Sequence, residues 1–164
     1  RRGDLETAAL LVESDDAQRI GREADRLGVK CELIAARQAW AEADGTVEEA
    51  RATAAAYGLA AVHAHADRLE GRASVSAGEV RGGLALLTAA RERFGALGDH
   101  WEAGRTGLHI AAAGGSADLD RLIEFFDDLG AVDESQRARN LRDPAVEAES
   151  QPGFRRPTEK RTRR

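Results

Sequence analysis

Residues 96–131 read ALGDHWEAGRTGLHIAAAGGSADLDRLIEFFDDLGA, and the spacing of their apolar and glycine positions decides the fold class. Leu119, Leu122, Ile123, Phe126 and Leu129 recur three and four residues apart, which places them on one face of an α-helix. Ser116 and Asp118 precede this stripe, and Asp99 precedes Trp101; short polar side chains there satisfy the free N–H groups of a helix start. Leu97-Gly98 and Leu129-Gly130 close helical stretches, because glycine adopts the left-handed conformation that satisfies the last carbonyls. The segment reads as helix, short turn, helix.

The same punctuation runs outward along the chain. Leu27-Gly28, Tyr57-Gly58, Leu97-Gly98 and Leu129-Gly130 are spaced by 30, 40 and 32 residues, the range of helix-pair repeats. Weaker breaks fall at Asp44-Gly45, between Gly71 and Gly78, and at Gly114-Gly115. Val80, Leu84, Leu87, Phe94 and Leu97 form a second stripe, and Leu59, Val62, Ala66 and Leu69 a narrower one filled out by Ala. Helices are predicted near 4–13, 15–27, 30–43, 46–57, 59–72, 78–97, 99–113, 116–129 and 132–142. The second unit is the longest, and its excess, Ala73–Gly83, reads as a longer loop or an irregular extension of helix 78–97.

Composition agrees. Of 164 residues, 33 are Ala, 22 Arg and 16 Leu, all strong helix formers, while aromatics make up only 4%. A sandwich, a barrel or a doubly wound sheet would need the β-branched and aromatic residues that are scarce here. Net charge is −5, yet residues 155–164, RRPTEKRTRR, carry +5, so the rest sums to −10. An acidic body repels a phosphate backbone and argues against broad nucleic-acid binding. A lone thiol, Cys31, allows no internal disulfide and fits a reducing, cytoplasmic setting. No apolar run has the length of a membrane span and no signal peptide is visible, so no membrane contact is expected. The absence of Met reads as that of a fragment of something longer.

At this point the residues resemble a family pattern. Segment 96–131 is similar to tetratricopeptide-type repeats, in which a small residue, here Gly107, lets paired helices approach, Gly114 fills the turn, and Leu119 and Phe126 pack between helices. More narrowly, LGDHWEAGRTGLHIA resembles the helical-repeat region of large multidomain bacterial regulators. Those place an ATPase, sometimes a cyclase, ahead of the repeats and a LuxR-type helix-turn-helix after them. GFRRPTEKRTRR resembles the basic linker that often precedes that DNA-binding domain. The likeness spans about Asp15 to Leu141, and departs from the pattern where Ala41 and Ala54 replace large aromatics.

Few residues invite chemistry. His63 and His65, with Asp67 and Glu70, suggest a metal, but on a helix i, i+2 side chains diverge by about 200° and no HExxH or CxxC spacing exists. His63 and Asp67, four apart, read as a weak helix pair. Cys31, beside Leu33 and Ile34, reads as a small core residue rather than a nucleophile. Gly78–Gly83 lacks the Lys-Ser/Thr of a phosphate loop and reads as a flexible connection. Asp15-Asp16, Glu48-Glu49 and Asp127-Asp128 suit helix starts and solvated faces.

These readings predict an all-α, right-handed solenoid of antiparallel helix pairs, about three to four units, over residues 1–142. Residues 143–164 are expected to form a disordered basic tail or linker, holding all three prolines. The expected function is a non-enzymatic interaction or regulatory module with no cofactor and no metal. It would bind a protein, a peptide or neighbouring domains of its own polypeptide through a groove containing Arg37, His63 and Arg105. A second reading, from another class, is a small ligand- or metal-dependent enzyme using His63 and nearby acids. A third is DNA contact through Arg155, Arg156, Lys160, Arg161, Arg163 and Arg164.

Overall fold

The computed structural model describes residues 15–144, and every regular element among them is helical. In chain order these are α1 (Asp15–Arg37), a 3₁₀ turn (Trp40–Glu42), α2 (Ala43–Tyr57), α3 (Ala60–Ser76), α4 (Val80–Ala96), α5 (His100–Ala112), α6 (Leu119–Asp128) and α7 (Val132–Arg142). None of these helices is long and apolar enough to cross a membrane. The expected helix 4–13 and the basic residues Arg155 to Arg164 lie outside the described residues. The chain divides into two compact units between Asp118 and Leu119; α1–α5 belong to the first, α6 and α7 to the second.

One turn recurs. The N–H groups of Ala39, Leu59, Glu79, Asp99, Gly115 and Ala131 each donate to the carbonyl five residues back, the closure of a Schellman motif. The residue before each donor has positive φ: Gln38, Gly58, Gly78, Gly98, Gly114 and Gly130, with φ between 54° and 89°. The first four recur every 20 residues. In four of the six turns the donor is also the residue immediately before the next helix, so only two residues separate α2 from α3 and three separate α6 from α7. Asp99 caps α5 as expected, its carboxylate accepting from the Glu102 N–H at 3.0 Å.

Two expected breaks are not breaks, and the one expected between Gly71 and Gly78 falls at its far end, over residues 77–79. The chain runs as one helix through Leu27-Gly28, because Gly28 is used for close packing: a Cβ there would lie 3.3 Å from the His65 ring. Asp44-Gly45 lies within α2. Gly71 is buried inside α3, where α4 crosses so closely that a Cβ on Gly83 would stand 2.6 Å from the Gly71 carbonyl oxygen. The reciprocal distance, from a Cβ on Gly71 to the Gly83 oxygen, is 2.9 Å. Neither site has room for a side chain. Consequently Ala73–Gly83 is no long loop; all but Ala77, Gly78 and Glu79 belong to α3 or α4.

Two of the first unit's apolar clusters include residues of α3. Leu27, Cys31, Ile34, Val47, Ala50, Val62, Ala66 and Leu69 join α1, α2 and α3. Ala64, Ala90 and Phe94 join α3 to α4, with Ala103 of α5 against them. Cys31 is 1% exposed and burial pushes its thiol up to about 11, so it is a core residue as expected. Stripe ends fare less well. Leu87 and Phe94 are buried, but Val80 and Leu97 at the two ends of α4 are exposed. In the second unit Ile123 and Phe126 are buried while Leu129, in the turn, is exposed. Periodicity marks a face; it does not say how far the neighbouring helix extends along it.

Candidate functional site

The polar centre of the first unit is on α3, whose stripe of Val62, Ala66 and Leu69 carries two ionised neighbours inward with it. Asp67 is 3% exposed and Arg68 1%. Isolated charges at that depth would be destabilising by several kcal/mol each, so each must gather partners.

Arg68 reaches between α1 and α5. Its Nη2 donates to Glu32 Oε1 at 2.8 Å and to His65 Nδ1 at 3.1 Å; its Nη1 donates to Thr106 Oγ1 at 3.1 Å and pairs with the Glu102 carboxylate. Thr106 in turn donates to the Glu102 carbonyl at 2.7 Å. Arg105 closes a ring, meeting Glu32 Oε2 at 3.1 Å and Glu102 Oε1 at 3.2 Å. Two carboxylates thus share two guanidinium groups, and the charges balance. The Phe94 ring lies against the Arg68 guanidinium, 4.9 Å from carbon to centroid, and His65 meets the same ring edge-on at 5.1 Å. Of the Arg68 guanidinium nitrogens, Nε is buried without a hydrogen-bond partner.

Titration follows from this geometry. Burial alone would raise the Glu32 carboxyl, but Arg68 and Arg105 outweigh it and hold it below the usual carboxylate range. Burial lowers His65, and Arg68 beside it lowers it further, so the ring is held neutral and accepts at Nδ1.

Asp67 serves the other side of α3. Its carboxylate accepts from Arg51 of α2 at 2.7 Å and from Arg93 of α4 at 3.2 Å, and His63 Nε2 lies 3.6 Å away. Arg51 also pairs with Glu70. The i, i+4 relation of His63 and Asp67 is therefore realised at ion-pair distance. His63 and His65 join different networks, as their spacing on one helix requires. Among the described residues no three His, Cys, Asp or Glu side chains gather as a metal site would need.

The three expected groove residues are not neighbours in one cluster. Arg105 is half-buried in the Arg68 ring, and His63 is on the Asp67 side. Arg37 is exposed at the last residue of α1. Sequence reasoning missed Arg68, the most deeply buried charge among the described residues. A signal existed: Arg68 directly precedes Leu69 of the apolar stripe. Its partners were invisible, because Glu32 and Glu102 stand 36 and 34 residues away along the chain.

Fold and site together define an all-α protein whose first five helices are joined by two internal ion networks. Among known proteins, no family model, no curated protein and no solved structure matches the chain.

Proposed function

We propose that this chain is a non-enzymatic helical-repeat module for interaction or regulation, built as a solenoid of antiparallel helix pairs. In this reading it is part of a larger bacterial signalling or transcriptional regulator acting in the cytoplasm. The observation that carries the reading is the recurring turn: one Schellman closure repeated at 20-residue intervals from Gln38 to Gly98 makes a helix pair of 40 residues. Regular short turns between helices of similar length are how repeat arrays stack, and such arrays act by presenting an extended surface. The ion networks support it too. Arg68, Arg105, Glu32 and Glu102 neutralise one another and tie helices together, which is the work of a scaffold.

The test is selection of binders from a displayed random-peptide library against the full chain. Peptides that bind with micromolar affinity, weaken on Arg37→Glu and survive deletion of residues 143–164 support the module. Loss of binding on tail deletion alone would make the helices a passive spacer and end the reading. Arg105 needs a gentler probe, Arg105→Gln, because Glu at that position would set a third carboxylate beside Glu32 and Glu102.

A further inference from the structure

One row on the outside of α1 is not explained by packing. Arg22, Arg26, Val29, Leu33 and Arg37 recur at i, i+4, i+7, i+11 and i+15, a single face of the helix, and all are exposed. Val29 is 68% exposed and Leu33 44%, adjacent apolar side chains one turn apart on a surface where water gains nothing from them. No acid falls in the row, although the chain as a whole carries −5. Arg26 is occupied by Glu23 and Glu49. Arg22 and Arg37, which bracket the apolar pair, have no ion-pair partner among the described residues.

We infer that this face of α1 docks an acidic amphipathic helix of a partner protein. The partner would set apolar side chains at i, i+4 over Val29 and Leu33 and carboxylates toward Arg22 and Arg37. The inference rests on the interaction reading above and specifies its partner. The row spans 15 residues, about 22 Å at 1.5 Å per residue, which is four turns of a partner helix. Apolar anchors at helical spacing supply contact area, and charges at both ends set register and steer the encounter. An anionic membrane has complementary charge as well, but interfacial helices bury a broad apolar face with aromatic anchors, and this row offers one Val and one Leu. The basic residues 155–164 are of the same sign as the row and would be repelled by it.

The same peptide selection tests this separately from the module itself. The expected winners are acidic sequences with apolar residues at i, i+4. Their affinity for the full chain should fall at least roughly tenfold in Val29→Ser/Leu33→Ser and in Arg22→Glu/Arg37→Glu, as interface charge and anchor changes do. Raising salt from about 0.05 to about 0.5 M should weaken binding too, since exposed charges are screened. All four positions are exposed, so circular dichroism should show both variants folded. Winners that are neutral or basic, or that weaken on Arg37→Glu yet bind Val29→Ser/Leu33→Ser unchanged, would overturn this surface and leave the module standing, and winners that bind both variants unchanged would overturn both. Winners that compete with residues 1–14 supplied as a peptide, and gain affinity when that segment is deleted, would make the occupant the chain's own. Binding to phosphatidylserine vesicles that Val29→Ser/Leu33→Ser abolishes would make it a membrane. Either result overturns the partner assignment. No winners at all would remove both readings.

Discussion

Asp67 and Arg68 are consecutive residues of one helix, both buried and opposite in charge, yet the two sides of α3 neutralise them differently. Arg68 is enclosed: its carboxylate partners are only 27% and 16% exposed, and Thr106, His65 and Phe94 complete the shell. Asp67 is met by Arg51 and Arg93, whose side chains are 37% and 44% exposed and reach inward from the surface. An arginine can keep its stem on apolar surface and its head in water, so the Asp67 partners retain solvent whatever happens to Asp67. Glu32 and Glu102 have shorter stems and less water. The lesson is that burial of a charge is stabilised through its partners' access to solvent as well as through the pair itself.

The largest effect should therefore come from removing Arg68. Arg68→Ala leaves two half-buried carboxylates facing only Arg105, and chemical denaturation should show a loss of about 3–5 kcal/mol, the usual cost of breaking a buried pair. A loss under about 1 kcal/mol would mean the ring is as solvated as the Asp67 side. Asp67→Asn should cost less, about 1–2 kcal/mol, because the amide keeps hydrogen-bonding capacity and Arg51 and Arg93 turn to water. A double-mutant cycle between Arg68 and Glu32 should show coupling that the Asp67–Arg93 pair lacks.

The smallest effect concerns protons. His65 is held neutral in the folded chain, with its value below the ordinary 6.5. The unfolded chain therefore binds the extra proton more readily, so this residue's contribution is complete above pH 6.5. It should diminish as pH falls below that, and be lost once the folded value is passed. Melting temperature should consequently drop between neutral and mildly acidic pH. His65→Asn, whose amide oxygen takes the place of Nδ1, should flatten that part of the profile. Glu32, held low by Arg68 and Arg105, should add a second decline below its ordinary 4.5. A profile unchanged by His65→Asn would show that the ring's carboxylates, and not the imidazole, carry the acid sensitivity.

How much of this could be read from residue order differs by kind. Helices and their ends were legible where local chemistry decides them: Gly58, Gly98 and Gly130 stop helices, Asp99 starts one, and α7 spans the predicted 132–142. Glycine misled where its role is tertiary. Gly28, Gly45 and Gly71 have the same composition signal as the stops but sit inside helices, and at Gly28 and Gly71 a neighbouring element fills the space a side chain would need. Of the site, the His63–Asp67 pair was visible because four residues make one helical turn. The ring around Arg68 was not, because it joins α1, α3 and α5.

Amino-acid choice alone thus determined that the described chain is helical, which positions face inward along most of each helix, and that Cys31 is a core residue. It could do so because hydrogen bonding within a helix, its caps and its apolar period are all set within a few residues. Only the tertiary structure decided that residues 15–37 form one helix, that α3 and α4 touch at Gly71 and Gly83, and that Arg68 finds Glu32 and Glu102. Those outcomes depend on which helices meet and how closely, a matter of shape and charge between residues far apart in the chain, for which no local pattern exists.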